Sequence, residues 1–397
     1  MERETVAQHG MIVVREQRGE PERGEALAAV DRRRGGIPDV RHDDAGAGTG
    51  QHDVYLACTG RIGPLNSQGI WVTVSTDGTG TSWTNPPQAL RARDGTNITL
   101  VNSPIIQVGP DHVVHAVWLE RTGGQTNGTN WIKTCQLRDR GASLGEAHVV
   151  RQLVTDYFVN GNMFLKRSST AEEGDYFNAW PFPVLALNPA KTNHLYVAYA
   201  DRGTNAVDRA DVFLVRSADG GTNWANPVRV NTDTTKNDQW MPVVVVKPDG
   251  TKLFLAWYDR RDDTNNSLTD VYGRFGAIAA NGSVDFGEEF RISTVSFPPV
   301  FAGTRGENEP IYKEPGYYDP AYPPEFVNLH WWYSEWPDDS LILTSGSYRS
   351  HVGEYNGVAF DDQAVWLSWS DGRMRTAGTR GVRAQLDIRL IGVPWPE

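Results

Sequence analysis

Short apolar runs ending in a polar turn recur along the chain: "YLACTGR" (55–61), "HAVWLER" (115–121), "YVAYADR" (196–202), "FLAWYDR" (254–260) and "VWLSWSDGR" (365–373). Their alternation and their β-branched and aromatic content predict strands, not helices. The matching positions Cys58, Trp118, Tyr199, Trp257 and Trp369 are 60, 81, 58 and 112 residues apart, and the last gap has room for two units. Most runs are preceded by another apolar stretch, such as "SPIIQVG", "WPFPVLALN", "WMPVVVVKPDG" or "GVAFDD". Each is followed, beyond a Gly/Asn/Asp-rich loop, by a third: "GIWVTVS", "NWIKTCQL", "ADVFLVRS", "TDVYGRFG" or "GVRAQLDIRL". Weak fourth strands such as "PVRVN" and "EEFRIS" complete the unit. Four short strands repeated in this way predict an all-β chain, a β-propeller whose sheets bury their faces on one another.

Between third and fourth strands lies "SADGGTNW" (217–224), and "STDGTGTSW" (75–83) repeats it with one residue inserted. The pattern predicts a tight hairpin. Gly220 and Gly221 reach backbone angles costly for other residues, Asp219 accepts backbone N–H groups, and Trp224 folds over the turn. A structural role explains why the motif recurs where turns are needed.

These residues resemble the Asp-box, or BNR repeat, of the sialidase superfamily. Ser217, Asp219, Gly221 and Trp224 match it fully, Ser75, Asp77 and Trp83 match with the insertion, and "RDRGASLGE" and "NGSVDFGEEF" look like eroded copies. With "AWYDRR" and "GEYNG", the resemblance spans residues 50–391. It implies a six-bladed propeller of four-stranded antiparallel blades, with the Asp-box hairpins on the outer rim and a divergent blade within 301–350. The domain reading is an arm or part of a closing blade at 1–50, then a propeller at 51–397 with an aromatic-rich insertion at 297–350. Asp-boxes occur in sialidases, other glycosidases, lyases, lectin-like modules and receptors, so the resemblance bears on fold more than on activity.

Composition narrows the partners. The formal net charge of −11 argues against nucleic acid or an acidic membrane. No apolar run approaches the roughly 20 residues of a membrane span. The N-terminal stretch has no apolar core of signal-peptide type, which leaves a cytoplasmic chain and a mature secreted one both open. Cys58 and Cys135, the two cysteines, read as apolar strand positions, with a disulfide as the other reading.

Candidate chemistry lies where the repeat is broken. The Asp–Arg and Glu–Arg pairs that end the second strands recur in nearly every unit, which suits a structural bridge; Arg261 extends that pattern and is kept as a candidate. "GDYFNAW" (174–180) rhymes with "GEYNGVA" (353–359), and each would enter the first strand of a blade. Asp175, Tyr176, Glu354 and Tyr355 could then meet at the channel mouth as acid, base or nucleophile, or they could hydrogen-bond the inner strand ends. Tyr317, Tyr318, Tyr322, Trp331, Trp332 and Trp336 in the insertion suit stacking on a sugar or packing in a divergent blade. No cofactor is implied, although Asp262, Asp263 and Asp270 in "DRRDDTNNSLTD" would suit Ca²⁺ as oxygen ligands.

Sialidases resemble one another in an arginine triad, a tyrosine nucleophile backed by glutamate, an aspartate acid/base and an early (F/Y)-R-I-P. Here "FRIS" (290–293) comes late, in a fourth strand, and no three arginines stand out. The favoured reading is therefore a non-catalytic module recognising a glycan or glycoprotein. A glycan-active enzyme, hydrolase or lyase, and a propeller binding protein partners in a larger assembly are the alternatives.

Overall fold

A computed structural model of the 397-residue chain describes residues 39–43, 52–61, 68–84, 88–93, 97–124, 127–155, 164–166, 176–202, 209–266, 268–297, 356–378 and 381–397. The described residues are all-β. Sheet 1 runs β1 (Asp39–His42), β2 (Val54–Arg61), β3 (Gln68–Ser75), β4 (Gln88–Ala92). Sheet 2 comprises β5 (Ile98–Val108), β6 (Val114–Thr122) and β7 (Thr129–Arg138), with β8 (Ser143–Leu144) and β9 (His148–Gln152) both paired to β7. A two-stranded pair, β10 (Phe164–Lys166) and β11 (Tyr176–Asn178), precedes sheet 3. Sheet 3 is β12 (Val184–Asn188), β13 (Lys191–Asp201), β14 (Asp211–Ser217) and β15 (Val228–Arg229). Sheet 4 is β16 (Gln239–Val246), β17 (Lys252–Asp259), β18 (Asp270–Ile278) and β19 (Val284–Arg291). Sheet 5 has β20 (Gly357–Phe360), β21 (Ala364–Gly378) and β22 (Gly381–Pro394). All pairings are antiparallel.

The second strands explain how the sheets stack. All but the first residue of β17 are buried, as required when both faces of a strand are covered. Leu253, Leu255 and Trp257 pack with Val212 and Leu214 of sheet 3. Phe254, Ala256 and Tyr258 point the other way and share a cluster with Leu367 and Trp369 of sheet 5. The same alternation places Trp118 between sheets 1 and 2, and Tyr199 between sheets 2 and 3. Each repeat aromatic thus faces the sheet before its own. First strands are successive neighbours, β1 beside β5, β5 beside β12, β12 beside β16 and β16 beside β20, so the sheets follow one another around their inner edges in a propeller-like order.

A recurrent polar contact sets the register of that stack. The indole N–H of Trp118 donates to Glu120 (3.2 Å), that of Trp257 to Asp259 (2.8 Å) and that of Trp369 to Asp371 (3.1 Å). All three carboxylates are buried. Buried charge requires further donors, and several come from the preceding sheet. Arg91 of β4 donates to Glu120 through two nitrogens (2.7 and 3.0 Å). Beyond β9, the Val154 and Thr155 amides donate to Asp201 (both 2.8 Å). Glu120 and Asp201, the acidic members of two of the recurring pairs, are therefore bridges between sheets.

The divergent blade expected within 301–350 lies outside the described residues, and sheet 5 packs directly on sheet 4. The Tyr258 hydroxyl donates to the Ser370 carbonyl (3.0 Å) and accepts from the Ser370 N–H (3.0 Å). Cys58 and Cys135 are both free and buried, as apolar strand positions would be. Among the described residues no helix is long and apolar enough to cross a membrane.

The motif hairpins lie at one end of the sheets. Ser217 Oγ donates to Asp219 Oδ1 (2.8 Å) and accepts from the Gly221 N–H (2.9 Å). Asp219 also accepts from the Asn223 amide (2.9 Å), and Trp224 donates to the Gly221 carbonyl (2.9 Å). Gly220 and Gly221 have φ of 74° and 95°. Asp77 collects the Thr79, Gly80 and Ser82 amides (2.8–3.0 Å), and Trp83 caps its loop in the same way (2.8 Å). Hydroxyls of Ser82 and Ser75 hold the Asp77 carboxyl far below the ordinary range. In Asp219 burial opposes the shift, but the Asn223 and Ser217 hydrogen bonds outweigh it.

Two stability measurements check this account. Tyr258→Phe strands both Ser370 backbone groups between sheets 4 and 5, and should cost about 1–3 kcal/mol in urea unfolding. The buried His115 ring is held neutral, its pKa pulled down to about 4 by burial. The unfolded chain then binds more protons than the folded one between about pH 6.5 and pH 4, so stability falls as pH drops through that window. His115→Gln should remove about 3 kcal/mol of that acid sensitivity in melts run from pH 7 to pH 4.

Candidate functional site

Strand parity separates the two ends of the sheets. The β3–β4, β7–β8, β14–β15 and β18–β19 hairpins turn at one end. The second strands finish, and the longer connections leave and return, at the other. Asp371 lies midway along the longer β21, while Glu120, Asp201 and Asp259 end or nearly end their strands there. So do Arg291, from which the chain departs into the aromatic-rich insertion, and Asn356, at which it re-enters sheet 5. The pair β10–β11 belongs to the connection between sheets 2 and 3 at this same end.

Around the ends of sheets 3 and 4 the polar side chains form one continuous network. Asn231 Nδ2 donates to Asp211 (2.7 Å), Asp233 (2.9 Å) and the Gln239 carboxamide oxygen (2.9 Å). Arg229 pairs with Asp211 (2.8 Å). Burial pushes Asp211 above the usual carboxylate range, opposed by Asn231 and Arg229. Arg261 donates to Asp259 (2.6 and 3.0 Å) and to Glu289, lies 3.9 Å from Asp233, and stacks 4.3 Å above the Tyr272 ring. Although burial opposes it, the hydrogen bonds that Arg261 donates to Asp259 and Glu289 keep this guanidinium firmly charged. Arg260 is fully buried, donates to the Asn266 carbonyl (3.0 Å), lies 3.6 Å from Asp238 and sits 4.9 Å from the Trp240 ring centroid. Its burial brings the guanidinium down to about 10.

Arg261, a sequence candidate for catalysis, is thus held within sheet 4 by Asp259 and Glu289, and is only 13% exposed. Of the three aspartates suited to Ca²⁺, Asp262 and Asp270 both face Arg291 (3.9 and 2.5 Å). Asp262 accepts the Tyr272 hydroxyl (2.7 Å) and Asp263 the Leu268 amide (2.7 Å). Asp270 accepts Arg291 (2.5 Å), Ser293 (2.7 Å) and Ser296 (2.9 Å). Among the described residues no group of three or more His, Cys, Asp or Glu could hold a metal ion.

The innermost strands carry a feature not singled out in the sequence. The pairing of β5 with β6 slips between Asn102 and Ile105, and that of β16 with β17 between Trp240 and Val243. The residues in the slips, Ser103 and Met241, have φ of 54° and 52°. Each precedes a proline, Pro104 or Pro242, and Pro183 precedes β12 at the same register. Proline suits an edge that donates no ladder bond, and a bulge re-aims the chain beside it. Left-handed non-glycine residues are strained and persist where their surroundings hold them. Here the holding group is Asn356, whose side-chain N–H donates to the Met241 carbonyl (3.0 Å). The recurring X-Pro in "SPIIQVG", "WPFPVLALN" and "WMPVVVV" was the available sequence signal.

Residues that border both rhyming segments belong to the surroundings of Met241. Asn356 follows Tyr355, while Leu165 of β10 and Ala179 after β11 share one apolar cluster with Trp240 and Met241. "GDYFNAW" does not itself enter a first strand, as the rhyme suggested. Tyr176 begins β11, paired across to Lys166, and the first strand of sheet 3 starts at Val184. Asp175, Glu354 and Tyr355 lie outside the described residues, as do Tyr317, Tyr318, Tyr322, Trp331, Trp332 and Trp336.

No family model and no curated protein matches the chain. Among solved structures, it is similar to an α-L-arabinanase of Penicillium chrysogenum, at 14% identity over 89% of this chain and 92% of that one, with a TM-score of 0.44. It is also similar to the GH93 α-L-arabinofuranosidase of Fusarium graminearum (11% identity, 89% and 92% covered, TM-score 0.42). A leech intramolecular trans-sialidase matches at 12% identity over 90% of this chain and 61% of that one (TM-score 0.39). At this degree of likeness none of them says what this chain binds or cleaves.

The network makes a prediction of its own. Arg261→Met leaves Asp259 and Glu289 without their cation and should destabilise the fold by about 3–5 kcal/mol in denaturant unfolding. A residue that only touched substrate would leave the unfolding midpoint unchanged.

Proposed function

We propose that this chain is a carbohydrate-active β-propeller, six-bladed as its Asp-box-like hairpins imply, which cleaves a glycosidic bond at the end opposite those hairpins. The observation that supports this is that Asn356, next in sequence to Glu354–Tyr355, donates to the carbonyl of the strained Met241, whose apolar cluster also holds Leu165 and Ala179 from the β10–β11 connection that carries Asp175–Tyr176. Glycoside cleavage needs two carboxyl groups about the scissile bond, one donating a proton to the leaving oxygen and one supporting attack from the other side. One of Asp175 and Glu354 takes each part, and an adjacent tyrosine positions the sugar or attacks once its proton is accepted. The insertion rings Tyr317, Tyr318, Tyr322, Trp331, Trp332 and Trp336 stack on further sugar units of a glycan or glycoprotein. A second reading, glycan recognition without cleavage, is favoured by the commitment of the described carboxylates at this end to the scaffold.

The test is hydrolysis of fluorogenic glycosides and release of reducing sugar from polysaccharides, beside a glycan array on the same sample. Asp175→Asn and Glu354→Gln should each lower kcat by about 10²–10⁴-fold with unchanged melting temperature. Array binding by wild-type protein without turnover on any substrate would select the recognition reading. Turnover undiminished in both variants would remove these residues from the chemistry.

A further inference from the structure

We infer that the β18–β19 turn is an acid-sensitive latch at the hairpin end, released from sheet 3 when His194 takes up a proton. This turn, residues 279–282, stands where the recurrent motif is eroded, and it has no aspartate of its own to gather the loop. It closes through the Gly282 N–H to the Ala279 carbonyl (2.9 Å) and the Ala279 N–H to the Ser283 carbonyl (2.8 Å). Its next three carbonyls are held from sheet 3. Lys191 Nζ donates to the Ala280 carbonyl (2.6 Å), Arg216 to that of Asn281 (2.9 Å) and the Tyr196 hydroxyl to that of Gly282 (3.0 Å). Two of the three groups that seat the turn are therefore cations.

His194 lies under this contact and is 4% exposed. A β-carbon at position 282 would stand 3.0 Å from its Nδ1, so the ring rests directly on the glycine, whose φ of 80° also disfavours a side chain. Nδ1 is buried and has no hydrogen-bond partner among the described residues. A neutral ring keeps a lone pair there. In the imidazolium both nitrogens carry protons, and Nδ1–H becomes a buried donor with nothing to accept it. The new charge also arrives beside the Lys191 ammonium and the Arg216 guanidinium. Burial first, and then these two charges, hold the ring below its ordinary pKa.

The turn itself brings no ionisable group. Of those on the surrounding elements, Asp219 is bound within its own hairpin, Asp249 pairs with Lys247 (2.7 Å), Lys252 donates to the Pro396 carbonyl, and Asp285 on β19 is exposed. Moving the turn away gives His194 water and separates it from the packed glycine. With the turn open the ring titrates near its ordinary value of about 6.5, and with the turn closed it titrates lower. The open form then binds more protons. Opening is insensitive to pH above about 6.5 and gains up to about tenfold per pH unit below it, until the closed form also titrates.

The experiment is hydrogen exchange of the full chain at about pH 7, 6 and 5, with each rate divided by the intrinsic exchange rate at that pH. The Ile278, Ala279 and Gly282 amides should lose protection by up to about tenfold per unit below pH 6.5, while the amides of the 217–224 hairpin keep theirs. His194→Gln should make the 278–282 profile flat, and His115→Gln should leave it as in the wild type. A ring titration followed by NMR is the second measurement, because it reads His194 in the folded protein without replacing it. The wild-type midpoint should lie below about 6.5 and move up towards it in Lys191→Met. A flat wild-type profile, a fall shared equally by the 217–224 hairpin, the same fall in His194→Gln, or a ring that titrates at or above its ordinary value overturns the inference. None of these outcomes bears on the carbohydrate reading, which concerns the other end of the sheets.

Discussion

The stack of sheets depends on one constraint: a carboxylate buried at the end of a second strand has to be satisfied, and its own strand cannot do so alone. Two residues before it, an indole in sheets 2, 4 and 5 donates one hydrogen bond. The remaining lone pairs look outward. Glu120 finds Arg91, Asp201 finds the amides of Val154 and Thr155, and Asp259 finds Arg261, itself drawn towards Asp233. Apolar packing between two β-sheets tolerates sliding; a buried charge that has one set of donors does not. Sheet 2 is therefore fixed on sheet 1 through Glu120, and sheet 3 on the chain leaving sheet 2 through Asp201.

The two ends are built on different physical terms. At the hairpin end the carboxylates of Asp77 and Asp219 are satisfied within their own loops, by amides and hydroxyls a few residues away. Those loops need nothing from a neighbouring sheet for their shape, which suits a rim that turns the chain. At the opposite end satisfaction is long-range, and the inner strands add left-handed residues before proline that only their surroundings hold. Strain and long-range polar networks make an end that is rigid yet chemically unspent at its inner edge. The proposed activity belongs there on those grounds.

The chain is acidic overall, and among the described residues Arg91, Arg229, Arg261 and Arg291 each complete an ion pair with a buried carboxylate at that end.

The strands, their order and the hairpins were legible in the sequence, because alternation, turn glycines and the aspartate with its neighbouring hydroxyls act over a few residues. Trp118, Trp257 and Trp369 could be aligned from their runs alone, and Cys58 and Cys135 read as buried apolar positions for the same reason. Tertiary structure alone decided which partner each charged group has. Arg261 was a candidate on its place beside the repeat alone; its partner Glu289, 28 residues away, is known only from the fold. Asp262, Asp263 and Asp270 read as oxygen ligands, but the fold gives them the Tyr272 hydroxyl, the Leu268 amide and Arg291 as partners. It also decided that Met241 is strained and that Asn356, 115 residues distant, holds it. A local pattern encodes the conformation of its own residues, whereas the partner of a buried charge depends on which strand is packed beside it, and that is known only once the sheets are assembled.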